Sequence, residues 1–152
     1  GLSQAVGMAL ADRIDKKDHD RFIYCFMSDG ELDEGNSWEG ILLAGKNKLR
    51  NLIAIVDRNN IQIDGYTEDI MPLEPLSKKW ESFNWHVEEV DGHNIAAIDR
   101  AFGEAQAVFE KPSVIIAHTI PGKGVDYMED KLEWHYLPMN EELYHKAVNY
   151  SL

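Results

Sequence analysis

Four short strand candidates constrain this 152-residue chain more than any other feature. Phe22-Ile23-Tyr24-Cys25-Phe26-Met27 is a continuous apolar run, bounded by charge before it and by Asp29-Gly30 after Ser28. Leu52-Ile53-Ala54-Ile55-Val56 and Ser113-Val114-Ile115-Ile116-Ala117 repeat the pattern, and residues 85–90 supply a fourth candidate. Apolar runs of this length read as strands buried on both faces. Between them lie stripes of helical period. Leu2, Val6, Ala9, Leu10 and Ile14 form one, and Trp38, Ile41, Leu42 and Leu49 another. Pro75 can start a short helix carrying Leu76, Trp80 and Phe83, and Asn94 can cap a helix with Ile98, Ala101, Phe102, Ala105 and Phe109. Residues 140–150 predict a closing helix, and Asn36 with Glu39 resembles a helix-capping pair. Strands alternating with helices predict an α/β fold, a parallel β-sheet with helices on both faces. Ligands of such sheets sit beyond the carboxyl ends of the strands. The loops that matter are therefore 28–36, 57–66, 91–94 and 119–136.

With 27 acidic against 15 basic residues, the net charge is −12. That field repels phosphates, so nucleic acid and anionic membranes are not expected partners. No run approaches the roughly 18 apolar residues of a spanning helix. Cys25 is the only cysteine, which excludes an internal disulfide. No repeat or long linker divides the chain. Residues 1–152 are expected to form a single domain, in the cytoplasm.

Several familiar motifs fail. Gly40-Ile41-Leu42-Leu43-Ala44-Gly45-Lys46 has P-loop spacing, but Asn47 stands where a metal-binding hydroxyl is required. No Gly-x-Gly-x-x-Gly follows the first helix–strand junction. In the acidic stretch from Asp29 the sixth position of a calcium loop is Glu34, not the turn glycine. The histidines lack zinc spacing.

Two strand-end loops remain. Asp29-Gly30 follows the first strand, and Asn59-Asn60 follows the second. In a parallel sheet both emerge on one edge, so they can converge. A carboxylate, a carboxamide oxygen and a carbonyl are hard ligands suited to Mg2+ or Ca2+. Gly30 permits a phosphate to approach the backbone, and the helix that follows turns its positive end to the same cleft. Each loop alone is also an ordinary turn.

Ser28-Asp29-Gly30 through Asn59-Asn60 resembles the thiamine diphosphate motif, which begins Gly-Asp-Gly and closes on an asparagine pair. The segments 29–39 and 57–65, then Asn84-Trp85-His86-Val87, Asp91-Gly92-His93 and Trp134-His135, are similar to transketolases, most of all to the N-terminal subunit of split bacterial ones. The resemblance runs in order along nearly the whole chain. It implies the thiamine diphosphate-binding fold and thiamine diphosphate with Mg2+ as cofactors, Ca2+ being a possible substitute. Asp29, the Asn59 side chain and the Ile61 carbonyl would hold the metal. Gly30 would offer its N–H to the diphosphate. Glu34 would connect the two cofactor sites across a dimer. His135 would stand near the diphosphate and the reacting centre, as the catalytic residue of this part. The implied reaction moves a two-carbon ketol unit between sugar phosphates, as in the pentose phosphate pathway. The family's upstream segment and its pyrimidine-binding half lie outside these 152 residues. A complementary half or subunit is thus an expected partner, in a homo- or hetero-oligomer, and the chain alone is expected to be inactive. Ser28 replaces the motif's first glycine, and Tyr136 follows His135 where glycine is expected. Another thiamine enzyme, of the deoxyxylulose-phosphate synthase or 2-oxoacid dehydrogenase type, is the alternative, as is a non-catalytic remnant or interaction domain of this fold.

Overall fold

The computed structural model describes residues 1–16 and 21–150, so part of the charged stretch 15–21 and the last two residues of the expected domain lie outside it. In chain order come α1 (Leu2–Ile14), β1 (Ile23–Ser28), a 3-10 turn (Gly30–Asp33), α2 (Gly35–Asn47) and β2 (Leu52–Arg58). A small hairpin of β3 (Ile61–Gln62) and β4 (Gly65–Tyr66) follows, then α3 (Thr67–Ile70) and α4 (Leu76–Ser82). The rest is β5 (His86–Asp91), α5 (Ile95–Gln106), β6 (Ser113–His118), a second 3-10 turn (Leu132–His135) and α6 (Glu141–Tyr150). The four long strands form one parallel sheet in the order β1-β2-β6-β5. The expected fold class is the observed one.

Each layer follows from the sequence pattern. On one face α1, α2 and α4 close over the inward residues Ile23, Cys25, Met27, Leu52, Ala54, Val56, Val114 and Ile116. On the other, α5 sets Ala101 and Ala105 against Ile53, Val90, Ile115 and Ala117. The small side chains of α5 let its backbone lie close to the sheet. Asn94 caps α5 as its sequence predicts, its side chain accepting a bond from the Ala97 N–H at 3.1 Å.

Tryptophans knit α2, α4 and the entry to β5. Trp80 and Trp85 are both fully buried and meet edge to face at 4.8 Å. Trp85 also donates from Nε1 to the Ile41 carbonyl at 2.9 Å. Trp38 packs against Trp80 and Phe83. The Gly40–Lys46 stretch with P-loop spacing is the body of α2, as its apolar residues require. Gly45 within it faces the Phe83 carbonyl, which would lie 1.8 Å from an added Cβ. No other residue lets α2 approach that turn.

Two expectations are corrected. β1 is not buried on both faces: its residues alternate, with Tyr24 47% and Phe26 70% exposed. The helix on that face, α5, meets β1 only at its margin, through the Tyr24–Phe102 ring contact and a Gln106–Tyr24 hydrogen bond. Asn36 and Glu39 do not cap α2, whose first residue is Gly35 and whose N-cap, Glu34, makes no side-chain cap bond. Asn36 instead accepts from the Ser3 hydroxyl at 3.0 Å, linking α2 to α1.

Candidate functional site

The site grows out of the register between β1 and β2. Ser28 lies beside Asp57, so the residues that leave the two strands stand side by side. The Asp29 N–H donates to the Asp57 carbonyl at 3.2 Å. Asn60 adopts a left-handed conformation, φ 65°, which asparagine tolerates better than most residues. That turn brings the Asn60 N–H to within 2.7 Å of Asp29 Oδ2. The convergence expected of the two loops is thus made by backbone as much as by side chain.

Asp29 is fully buried. Its Oδ2 also accepts from Arg58 Nη1 at 3.0 Å, while Oδ1 has no hydrogen-bond partner. Burial pushes the carboxyl above its usual range, against the lowering effect of the Asn60 N–H, of Arg58 and, least, of the Gly30 N–H. A buried carboxylate oxygen with no protein partner is costly, and a bound cation or water satisfies it. No three His, Cys, Asp or Glu side chains among the described residues converge on one point. A cation at Asp29 would therefore draw its other ligands from amide, carbonyl, water or phosphate oxygens. This set is hard and suits Mg2+ or Ca2+.

Asn59 stands at the mouth of β2. Its Oδ1 accepts from the Ile61 N–H at 3.0 Å, and its Nδ2 donates to Asp57 Oδ2 at 3.3 Å. Asp57 is held in turn by the Thr119 hydroxyl, from the loop after β6. Ile61 is buried and opens the β3–β4 hairpin, which lies over the first loop. A Cβ at Gly30 would stand 3.0 Å from Gln62 Cβ, so glycine fits there with little room to spare. Gly30, Glu34, Ile61 and His135 line one open cleft of about 540 Å³. Asn59 instead faces a neighbouring cavity of about 740 Å³, with Asp57, His93 and Thr119 on its rim and Phe26, Phe102 among its apolar walls. The expected site residues thus meet at the carboxyl end of the sheet, but Gly30, Glu34, Ile61 and His135 line one hollow, Asn59 lines the other, and Asp29 lies buried and lines neither.

Local chemistry explains each placement. Ser28 N–H donates to Glu31 Oε2 at 3.1 Å and Glu31 N–H donates to Ser28 Oγ at 3.3 Å. This reciprocal pair ties the end of β1 to the 3-10 turn, so the serine that replaces glycine has a use of its own. Glu34 is the N-cap residue of α2, at its positive end. His135 ends the second 3-10 turn. Its loop is fastened by Trp134 against Tyr127 at 5.3 Å, while the Tyr127 hydroxyl donates to the Leu143 carbonyl of α6 at 2.6 Å. Tyr136 is 65% exposed and points away from the packing of that loop.

The sequence reading missed Arg58. Its side chain is 2% exposed and reaches Thr67 Oγ1 and Glu68 Oε1 at 2.7 Å and Glu74 Oε1 at 3.1 Å, besides Asp29. Burial lowers its pKa, but the bonds to Asp29, Glu74 and Glu68 outweigh it and hold it above the usual value. A charged Asp57-Arg58 pair ending an apolar strand was the signal available. Among the described residues no helix is long and apolar enough to cross a membrane.

Comparison with known proteins gives a consistent result. The family described as "Transketolase, thiamine diphosphate binding domain" matches residues 1–149. A 6-deoxy-6-sulfo-D-fructose transketolase subunit of Clostridium sp. (strain MSTE9) is 47% identical over 97% of this chain and 53% of its own length. An apulose-4-phosphate transketolase subunit of Phocaeicola vulgatus is 42% identical over 97% of this chain and 52% of its own. The chain therefore spans about half the length of these curated relatives. The crystal structure of transketolase from Campylobacter jejuni superposes with a TM-score of 0.92 at 35% identity, over 99% of this chain and 24% of that one. Transketolase from Leishmania mexicana gives 0.87 at 30% identity, over 99% and 24%.

Proposed function

Because the chain belongs to the transketolase family, within its thiamine diphosphate-binding domain, we propose that it anchors the cofactor's diphosphate through a divalent cation on Asp29. The observation that carries this is the fully buried Asp29 carboxylate, one oxygen of which has no partner. Asp29, the Asn59 side-chain oxygen and the Ile61 carbonyl hold Mg2+, or Ca2+ in its place. The Asn59 oxygen has a second lone pair beyond the one given to the Ile61 N–H. The Gly30 N–H binds the diphosphate where a larger residue would press on Gln62. His135 lines the same cleft as Gly30 and hydrogen-bonds the diphosphate or the reacting substrate. Glu34, at the head of α2, connects the two cofactor sites of an oligomer. When bound, thiamine diphosphate supplies the carbanion chemistry, and the protein supplies orientation and proton traffic.

Residues 1–152 then act as one diphosphate-binding unit, in the cytoplasm, that needs a pyrimidine-binding half. Two relatives carry the word subunit in their names, which supports a complementary partner. The reaction is transfer of a two-carbon ketol unit between sugar phosphates, and the chain alone is inactive. The relatives' names span a sulfo-sugar and apulose 4-phosphate, so the pentose phosphate pathway is one setting among several.

The test is a product assay on the full-length subunit that contains this chain, with the complementary subunit present. The mixture should form a ketose lengthened by two carbons from a ketose phosphate and an aldose phosphate, and the chain alone should form none. Decarboxylation of a 2-oxoacid without ketol transfer would overturn the assignment.

A further inference from the structure

We propose that Arg58 is a positioning residue for the metal ligand Asp29, an inference that rests on the cofactor site just described. Asp29 offers two oxygens. Arg58 Nη1 and the Asn60 N–H both take Oδ2, at 3.0 and 2.7 Å, so Oδ1 is the oxygen left for a cation. A carboxylate without this fork could turn about its own axis or chelate with both oxygens. With it, one oxygen is committed and the other presented.

Arg58 is itself held from behind. Its Nη1 also donates to Thr67 Oγ1, and its Nη2 to Glu68 and Glu74, at 2.7 and 3.1 Å. Glu68 and Glu74 lie at the solvent edge, 41% and 54% exposed, whereas the guanidinium and Asp29 are buried. Glu68 accepts in addition from the Leu73 N–H at 3.0 Å, and Glu74 from the Leu76 N–H at 2.9 Å. The chain from Thr67 to Leu76 is therefore the frame, and Arg58 is the strut between that frame and Asp29. The charges agree with this role. One guanidinium faces three carboxylates, so the cluster presents no excess positive charge to a cation at Asp29. An isolated buried arginine would repel the ion, but one neutralised by Glu68 and Glu74 does not.

Groups that orient a metal ligand typically change affinity by about 10–100-fold when removed. The experiment titrates Mn2+, followed by electron paramagnetic resonance, into the chain with thiamine diphosphate and its complementary subunit. Wild type should bind. Arg58→Met should bind about 10–100-fold more weakly, and Arg58→Lys, which keeps one donor for Oδ2, should fall between. Melting temperatures without metal are measured beside them. A purely structural arginine would lower the melting temperature and leave the Mn2+ affinity of the folded protein unchanged. Equal or tighter Mn2+ binding by folded Arg58→Met overturns the inference. If that variant does not fold, the pair Glu68→Gln and Glu74→Gln serves, since both side chains are exposed. It should weaken Mn2+ severalfold, and wild-type affinity there overturns the inference equally. No Mn2+ binding by the wild type would instead defeat the cofactor site, and this inference with it.

Discussion

Asp29→Asn should leave the metal-free chain at least as stable as the wild type while weakening its metal-dependent cofactor binding by about 100-fold or more. The two halves of that expectation have separate causes. The amide oxygen can still accept from Arg58 and from the Asn60 N–H, the two bonds Oδ2 makes now. The amide nitrogen takes the place of the unpartnered Oδ1, and an NH2 group cannot ligate a cation. Losing a ligand outright exceeds the 10–100-fold cost of losing one that merely orients it, and 100-fold is about 2.8 kcal/mol of binding energy. Stability follows from the sign of the pKa shift. Burial raises the folded Asp29 carboxyl, so the folded state holds that proton more tightly than the unfolded chain does. Asp29 therefore opposes folding once ionised, and its cost appears as pH rises from about 3.9 through the raised folded value. Glu68 works the other way. Burial raises it, but bonds from the Leu73 N–H and Arg58 prevail and lower it, so its contribution is lost as pH falls. The difference in melting temperature between wild type and Asp29→Asn isolates the Asp29 part. It should be constant below the unfolded carboxyl value of about 3.9 and should shift in the variant's favour as pH rises through the raised folded value. A variant much less stable than wild type at pH 7 would contradict this.

Trp85→Ala is the substitution expected to cost most in stability, about 3–5 kcal/mol. Trp85 is fully buried, stacks edge-on to Trp80 at 4.8 Å, and donates to the Ile41 carbonyl. Its removal leaves a hollow between α2, α4 and the start of β5 that neither helix can close. Gly45 already brings α2 into contact with the Phe83 turn, so there is no slack on that side. Domains of this kind are stable by only about 5–15 kcal/mol, so the variant should lose much of its margin. In a domain of this size the melting temperature should fall by roughly 6–20 °C. Thermal or urea denaturation measures it. Trp85→Phe, which keeps a ring and loses the Nε1 donor, should cost distinctly less. A loss below about 1 kcal/mol for Trp85→Ala would show that the tryptophan cluster does not hold these elements together.

Much of this is legible in the residues alone. Apolar runs locate three of the four long strands and residues 85–90 the fourth, and their parallel arrangement brings Asp29 and Asn60 together although they lie 31 residues apart. Other features carry no periodic signal. The β3–β4 hairpin has two residues per strand, too few for alternation to be seen, although Asp64-Gly65 marks its turn. An apolar run reveals that a strand is hydrophobic, not which of its faces lacks a helix, and so Tyr24 and Phe26 are expected inside and found outside. Arg58 reads as part of a turn because its partners Glu68 and Glu74 lie ten and sixteen residues on, in a segment whose path the sequence does not encode locally. Glu34 and His135 emerge only through family resemblance. Each lies on a loop or helix end, where position is set by tertiary contacts such as Tyr127 to Leu143.

Everything proposed for the site turns on a cation at Asp29 that would bridge this acidic protein to a diphosphate. The most direct measurement is calorimetric titration of thiamine diphosphate into the chain with its complementary subunit, once with Mg2+ and once with the metal chelated. Binding should be saturable with Mg2+ and about 100-fold or more weaker without it, because the diphosphate then meets Asp29 with no ion between them. Equal affinity in the two titrations would contradict the metal bridge.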